Sequence, residues 1–229
     1  MKLIKDIRLY ADHESTRERC GTNYQYDFKL CLKVIQRLLF LLRHRGFGFG
    51  DFDHLYVNFT PCLPHGQVQD VNRHTIREFA WLHYVDVGCD LDLFNSWELK
   101  EKTAFVLESV RKAALLKAPE EQRELFADTF AEVMEQGEKL LLPYKVKENE
   151  NYRVEILLRI TDELDFLPLI RVTDREGDLV TEENMRAYGR NDFITQMSTI
   201  SIGKRSVRIT PRKNWDTDYY GLKPIKIEW

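Results

Sequence analysis

The clearest pattern in the chain is FAWLHYVDVGCDLDLF, residues 79–94, where apolar and polar positions alternate almost without fault. Phe79, Trp81, His83, Val85, Val87, Cys89, Leu91 and Leu93 fall on one side of an extended strand, and Tyr84, Asp86, Asp90 and Asp92 on the other. The period of two predicts a strand that is greasy on one face and acidic on the other. HLYVNFT, residues 54–60, alternates in the same way and ends at Pro61 and Pro64, so the two runs are expected to be neighbours in an antiparallel sheet. Tyr56, Asn58, Tyr84 and Asp86 would then share a face.

Elsewhere the period changes. Residues 3–10 read as a first strand and 11–23 as a polar loop. From Tyr26 to Arg43 the apolar positions Phe28, Cys31, Leu32, Ile35, Leu38, Leu39 and Leu42 recur every three or four residues, which predicts a helix stopped by Gly46. GFGFGDFD follows; its glycines suit a helix end turning into a strand, and it lacks the Lys and Ser or Thr of a phosphate-binding loop. Asn95 with Glu98 predicts a capping box opening a helix to Ala118, and Pro119 starts a second helix to Gly137, the pair forming a helical hairpin. Beyond Pro143 strands dominate: a hairpin over 144–161 turning at 148–151, a strand over 166–174 whose Pro168 suits an edge or bulge, a hairpin over 197–210 and a last strand at 224–229. The polar residues 181–194 predict no element. Together these define an α+β fold on a mostly antiparallel sheet, with a long N-terminal helix, a central helical hairpin and a β-rich C-terminal half. A single domain over 1–229 is expected, with a possible subdivision near residue 143.

Composition narrows the picture. With 43% hydrophobic residues among 229, the chain can bury a full core. A net charge of −3 makes the whole molecule a poor electrostatic match for nucleic acid or an anionic membrane. Basic ends nonetheless flank an acidic middle: Lys and Arg outnumber Asp and Glu over residues 1–50 and 195–229, and the reverse holds over 81–152. No apolar run approaches the ~18 residues of a membrane span. Cys20, Cys31, Cys62 and Cys89 show no C-x-x-C pair, and the expectation is a reduced, cytoplasmic protein.

Candidate chemistry is sparse. On an ideal strand Asp90 and Asp92 point the same way about 7 Å apart, with Asp86 farther along, and His54 or His65 could complete a metal-dependent hydrolase site. An exposed antiparallel face, however, carries polar residues at alternate positions without any metal. His65, His74 and His83 recur every nine residues, a spacing that gathers no ligands, and His83 is expected to be a core histidine with one satisfied nitrogen. Cys31 and Cys89 fall on apolar faces, where burial raises a thiol pKa. Lys204, Arg205, Arg208, Arg212 and Lys213 lie close to Trp215, Tyr219 and Tyr220, the composition of a single-strand nucleic-acid platform, but Asp216 and Asp218 interrupt the cluster. No catalytic residue, metal ligand or cofactor is assigned.

A protein partner met through the acidic strand is the leading expectation, with Tyr84, Asp86, Asp90, Asp92, Tyr56 and Asn58 as its contact residues; a membrane is not expected, nor is nucleic acid. In general style, through its mild acidity and the aromatic-bearing acidic strand YVDVGCDLDLF, the chain resembles the immunity proteins of bacterial polymorphic toxin systems, though it carries no motif specific to one family. That resemblance implies a cytoplasmic, non-catalytic protein that neutralises a basic toxin. The alternatives are the hydrolase built on the aspartates and a nucleic-acid-binding module built on the basic C-terminal hairpin.

Overall fold

The computed structural model describes residues 2–11, 24–71 and 80–229, and the chain divides into two compact units, Met1–Glu135 and Gln136–Trp229. Of the loop expected over 11–23, Ala11 is instead the last residue of a strand; Cys20, His74, Phe79 and the rest of that loop lie outside the described residues.

In the first unit, β1 (Lys2–Leu3) and β2 (Asp6–Ala11) precede a 3₁₀ turn at Phe28–Cys31 and helix α1 (Leu32–His44). Asp27 caps the turn by accepting from the Lys29 N–H at 2.9 Å. The helix stops at Gly46, whose φ of +77° is open to glycine at little cost. β3 (Gly48–Gly50) pairs with β1. β4 (His54–Thr60), β5 (Val68–Val71) and β6 (Leu82–Gly88) join β2 in a four-stranded sheet of order β2-β4-β6-β5. Three short-loop helices follow: α2 (Leu91–Ser96), α3 (Leu99–Lys117) and α4 (Glu120–Gln136), the last two separated by Ala118 and Pro119.

The α+β class and the mostly antiparallel pairing are as expected; the exception is this sheet. β4 pairs with β6, but parallel rather than antiparallel, and β2 is parallel to β4 as well. The reason is β5: the connection from β4 to β6 contains its own strand, which takes the antiparallel place on the outer edge of β6. β4 has a hydrogen-bonded neighbour on either edge and α3 against one face, and Leu55 to Thr60 are all buried. Leu55, Val57, Phe59, Val85 and Val87 face one way, and α3 packs against β4, β5 and β6 while α1 packs against β2.

The acidic strand also ends earlier than the alternation predicts. Gly88 is its last residue, donating to Gln67 O and accepting from Gly66 N, each at 2.8 Å. The turn at Pro64 comes so close that a Cβ on Gly88 would stand 1.9 Å from the Pro64 carbonyl oxygen. Extended backbone cannot continue past that contact, and residues 91–96 coil into α2. The capping box likewise lies one turn later than expected: Glu98 N donates to Glu101 Oε2 at 2.9 Å, while Asn95 Oδ1 accepts from Gln25 N at 2.8 Å.

His83 sits on the apolar side, as the alternation predicts, and its ring stacks on Phe52 at 4.1 Å and 19°. Burial, and then the Lys117 ammonium, hold its pKa below the ordinary 6.5, with Asp70 opposing.

In the second unit, β7 (Leu142–Glu148), β8 (Tyr152–Ile160), β9 (Phe166–Asp174) and β10 (Leu179–Asn184) form an antiparallel sheet of order β10-β9-β8-β7. The 148–151 turn is the expected one, with Asn149 Oδ1 accepting from the N–H groups of Asn151 and Tyr152, both at 2.9 Å. Val154, Ile156, Leu158 and Ile160 form the buried stripe of β8, each contributing about 1.5–3 kcal/mol by leaving water. β9 is an interior strand, so Pro168 is at neither an edge nor a bulge; its carbonyl accepts from Met185 N at 2.9 Å, just past the last pair of β10, where a ladder donor is not required. Residues 181–194, too polar to predict, contain most of β10 and the start of α5 (Arg190–Gln196). β11 (Thr199–Ile202), β12 (Ser206–Thr210) and β13 (Ile225–Glu228) form a three-stranded sheet, with α6 (Trp215–Tyr219) between the last two. Lys145 Nζ donates to the carbonyls of Met197 (2.9 Å) and Ser198, and Lys147 Nζ to that of Ile200 (2.8 Å), fastening β7 to β11. Among the described residues no helix is long and apolar enough to cross a membrane.

Four free thiols were expected. Cys31 and Cys89 are free and buried, but Cys62 is disulfide-bonded. Disulfide pairing is decided by tertiary proximity, which leaves no local mark in a sequence.

Gly88→Ala should cost about 3 kcal/mol, because the added carbon meets backbone that cannot swing away; urea unfolding within a normal range of the parent would refute the close approach. The lowered His83 pKa means that the unfolded chain takes up the proton first, so stability should fall as pH drops through about 6.5 and level off below the folded-state value. His83→Gln should flatten that slope in denaturant titrations carried downward from about pH 6.5, and a variant as steep as the parent would acquit His83.

A candidate protein-binding face on the N-terminal sheet

On the side of the sheet away from Leu55, Val57 and Phe59, the strands put like positions in rows. Arg8 stands beside Tyr56 and Tyr56 beside Tyr84; Tyr10 stands beside Asn58, Asn58 beside Asp86 and Asp86 beside Gln69. Parallel pairing keeps the face assignment that antiparallel pairing would have had, since side chains alternate in either case. Tyr56, Asn58, Tyr84 and Asp86 therefore do share a face.

Three tyrosine rings cluster on it. Tyr56 and Tyr84 meet edge to face at 5.1 Å, and Tyr10 lies 5.3 Å from Tyr56 and 6.3 Å from Tyr84. Such geometry matches the ring quadrupole and adds about 0.5–1.5 kcal/mol per pair beyond burial. The Arg8 guanidinium lies 5.4 Å from the Tyr56 ring centre, and its Nε donates to Asp6 Oδ2 at 2.7 Å. Tyr56 is buried, Tyr10 and Tyr84 are partly exposed, and Arg8 is exposed. Burial pushes the Tyr56 hydroxyl pKa up, so it remains a neutral hydrogen-bonding group.

One row along from Tyr56 and Tyr84, Asn58 Nδ2 donates to Asp86 Oδ1 at 3.0 Å. Both residues are fully buried, with exposures of 0% and 1%. Asp86 thus belongs to the interior of the face and is not a surface carboxylate. Asp90 and Asp92 are not on the strand at all. Asp90 is the N-cap of α2, its Oδ1 accepting from Leu93 N at 2.8 Å, and Asp92 is exposed in the first turn of that helix. The single acidic row expected from the alternation is therefore broken at Gly88, and the three carboxylates do not converge. Among the described residues no group of three or more His, Cys, Asp or Glu side chains is placed to hold a metal ion.

The histidines are engaged separately. His65 Nδ1 accepts from Asp90 N at 3.1 Å, and its ring stacks on Phe105 at 4.8 Å. His54 Nδ1 lies 2.6 Å from Asp53 Oδ1, and Asp53 also pairs with Lys5 at 2.7 Å. Burial would raise the Asp53 pKa, but the Lys5 and His54 hydrogen bonds outweigh it and hold the carboxyl below its ordinary value. The thiols are inert for a similar reason of environment: burial raises Cys31 and pushes Cys89 up to about 12.

Arg8 and Tyr10 were not anticipated as members of this face. Their signal was present in KDIRLY, where Asp6, Arg8 and Tyr10 alternate with Ile7 and Leu9. Comparison with protein-family models, with curated proteins and with solved structures finds no match to this chain.

Removing the α2 cap with Asp90→Ala should lower stability by about 1 kcal/mol, whereas Asp90→Asn, an equally good cap, should stay within about 0.3 kcal/mol of the parent. Equal losses in the two variants by urea unfolding would show that Asp90 contributes through its charge and not as a cap.

Proposed function

We propose that this chain is a non-catalytic protein-binding protein of the immunity or antitoxin type, which neutralises a partner by covering it with the tyrosine face of its N-terminal sheet. The observation that carries this reading is the cluster of Tyr10, Tyr56 and Tyr84 with Arg8 at its rim. Tyrosine and arginine dominate binding hot spots, since each offers a large contact area and a polar tip. These rings are already fixed by one another and by strand backbone, so little rotamer freedom is lost when a partner docks.

Charge supports the choice of partner. The molecule carries a net charge of −3, and Asp90 and Asp92 stand exposed just beyond the end of β6. Carboxylates at a rim speed the approach of a basic protein more than they strengthen the final complex. A protector of this kind acts on a protein rather than on a membrane. Asp86, enclosed beside Asn58, contributes by shaping the floor of the face and not by direct charge.

Affinity capture from the native cell, with the parent chain and with the variants Tyr84→Ala and Arg8→Ala, tests the reading. The parent should bring down one basic protein in equal amount and inhibit that protein's toxic activity, and each variant should weaken the complex at least about tenfold while its melting temperature stays well above the temperature of the binding assay, Tyr84→Ala losing some stability with its ring pairs. A partner held as tightly by both variants, or one whose activity is unaffected, would overturn it.

A further inference from the structure

The second unit carries an exposed basic groove that the tyrosine face does not explain. In the sheet of β11, β12 and β13, Ile200, Val207, Ile209 and Ile227 are buried on one side. On the other side Ser201 stands opposite Arg208, and Arg208 opposite Lys226. These residues, with Gly203, Ser206 and Pro224, line a groove of about 500 Å³. Two cations directly opposite one another on adjacent strands repel, which is a cost unless an anion lies between them. Lys226 is partly compensated by Glu228, but among the described residues no carboxylate pairs with Arg208. The hydroxyls of Ser201 and Ser206 border the same groove and can donate to an anion. A planar guanidinium, an ammonium and two hydroxyls make a donor set suited to phosphate.

The loop joining β12 to β13 adds a different kind of contact. It contains α6, on which Trp215 and Tyr219 stack face to face at 4.5 Å and 20°, with Tyr220 edge-on to Tyr219 at 4.8 Å. Trp215 is 68% exposed and Tyr219 65%, so the shelf they form is open to solvent. Large aromatics stacked and left in water are costly to a protein that has no use for them. The loop that carries the shelf leads into the groove: Leu222 N donates to Thr217 O of α6 at 2.9 Å, and Pro224, two residues farther on, lines the groove's edge. Asp216, one of the two carboxylates interrupting the basic run, is occupied by Asn214 Nδ2 at 3.0 Å.

We infer that this part of the second unit binds single-stranded nucleic acid, with a backbone phosphate seated between Arg208 and Lys226 and a neighbouring base stacked on Trp215 and Tyr219. Phosphate contacts give such binding its affinity and salt dependence, and stacking gives it tolerance of sequence. An acidic peptide would use the cations but leave the aromatic shelf unemployed. The inference stands apart from the proposed partner surface, which belongs to residues 1–135, so either can fail without the other.

Fluorescence anisotropy with labelled oligo-U and oligo-dT of about 12 nucleotides is the test. The full chain should bind saturably, and raising salt from about 50 to about 300 mM should weaken binding about tenfold. Arg208→Ala should weaken it several-fold and lower the salt slope by about 1, whereas Trp215→Ala should weaken it several-fold with the slope unchanged. All of these side chains are exposed, so the melting temperature should not fall. No saturable binding, binding indifferent to Arg208→Glu, or competition by poly-glutamate as effective as by unlabelled oligonucleotide would each overturn the inference.

Discussion

The first unit depends on one close approach of backbone to backbone, that of the Pro64 turn to Gly88. Gly88 gives both its N–H and its carbonyl to Gln67 and Gly66, and no other residue leaves room for the Pro64 carbonyl. That contact ends β6, starts the β5 edge and leaves Asp90 free to cap α2. It also seats His65, which accepts from Asp90 N and stacks on Phe105 of α3. One missing side chain thus decides where extended backbone gives way to helix.

The same contact separates two kinds of aspartate that look equivalent in the sequence. Asp86, upstream, is enclosed with Asn58 in the sheet; Asp90 and Asp92, downstream, serve a helix terminus and solvent. A buried carboxylate costs several kcal/mol unless hydrogen bonds compensate it, and an amide in register on the next strand is one such compensation. Asn58 and Asp86 therefore act as a specific strand-pairing device inside the sheet. Tyr56 and Tyr84 repeat the pairing one row along, where it produces an aromatic patch in place of a polar bond.

The two units offer contrasting surfaces. Residues 1–135 present tyrosines with an arginine at the rim, the composition of a protein contact. Residues 136–229 present facing cations and an exposed stacked indole and phenol, the composition of a contact with a polyanion that has flat bases. Each surface is built on strand register, which is stiffer than loop geometry and holds side chains in place before anything binds.

Much of the architecture was legible in the chain. Period-two alternation located β4, the body of β6 and the stripe Val154, Ile156, Leu158 and Ile160; period 3.6 located α1, α3 and α4; and turn residues located the 148–151 reversal. These signals are local, because each reflects one element burying one face. The parallel sense of β4 and β6, the end of β6 at Gly88, the interior position of Pro168 and the Cys62 disulfide were not legible. Strand direction follows from where the connecting β5 finds its partner, Gly88 is required by a turn more than twenty residues earlier in the chain, and sulfur pairing follows from proximity. The residues of the tyrosine face could be assigned to a side by parity alone, but which of them would meet, and which would be buried, was settled only when three strands distant in sequence came into register.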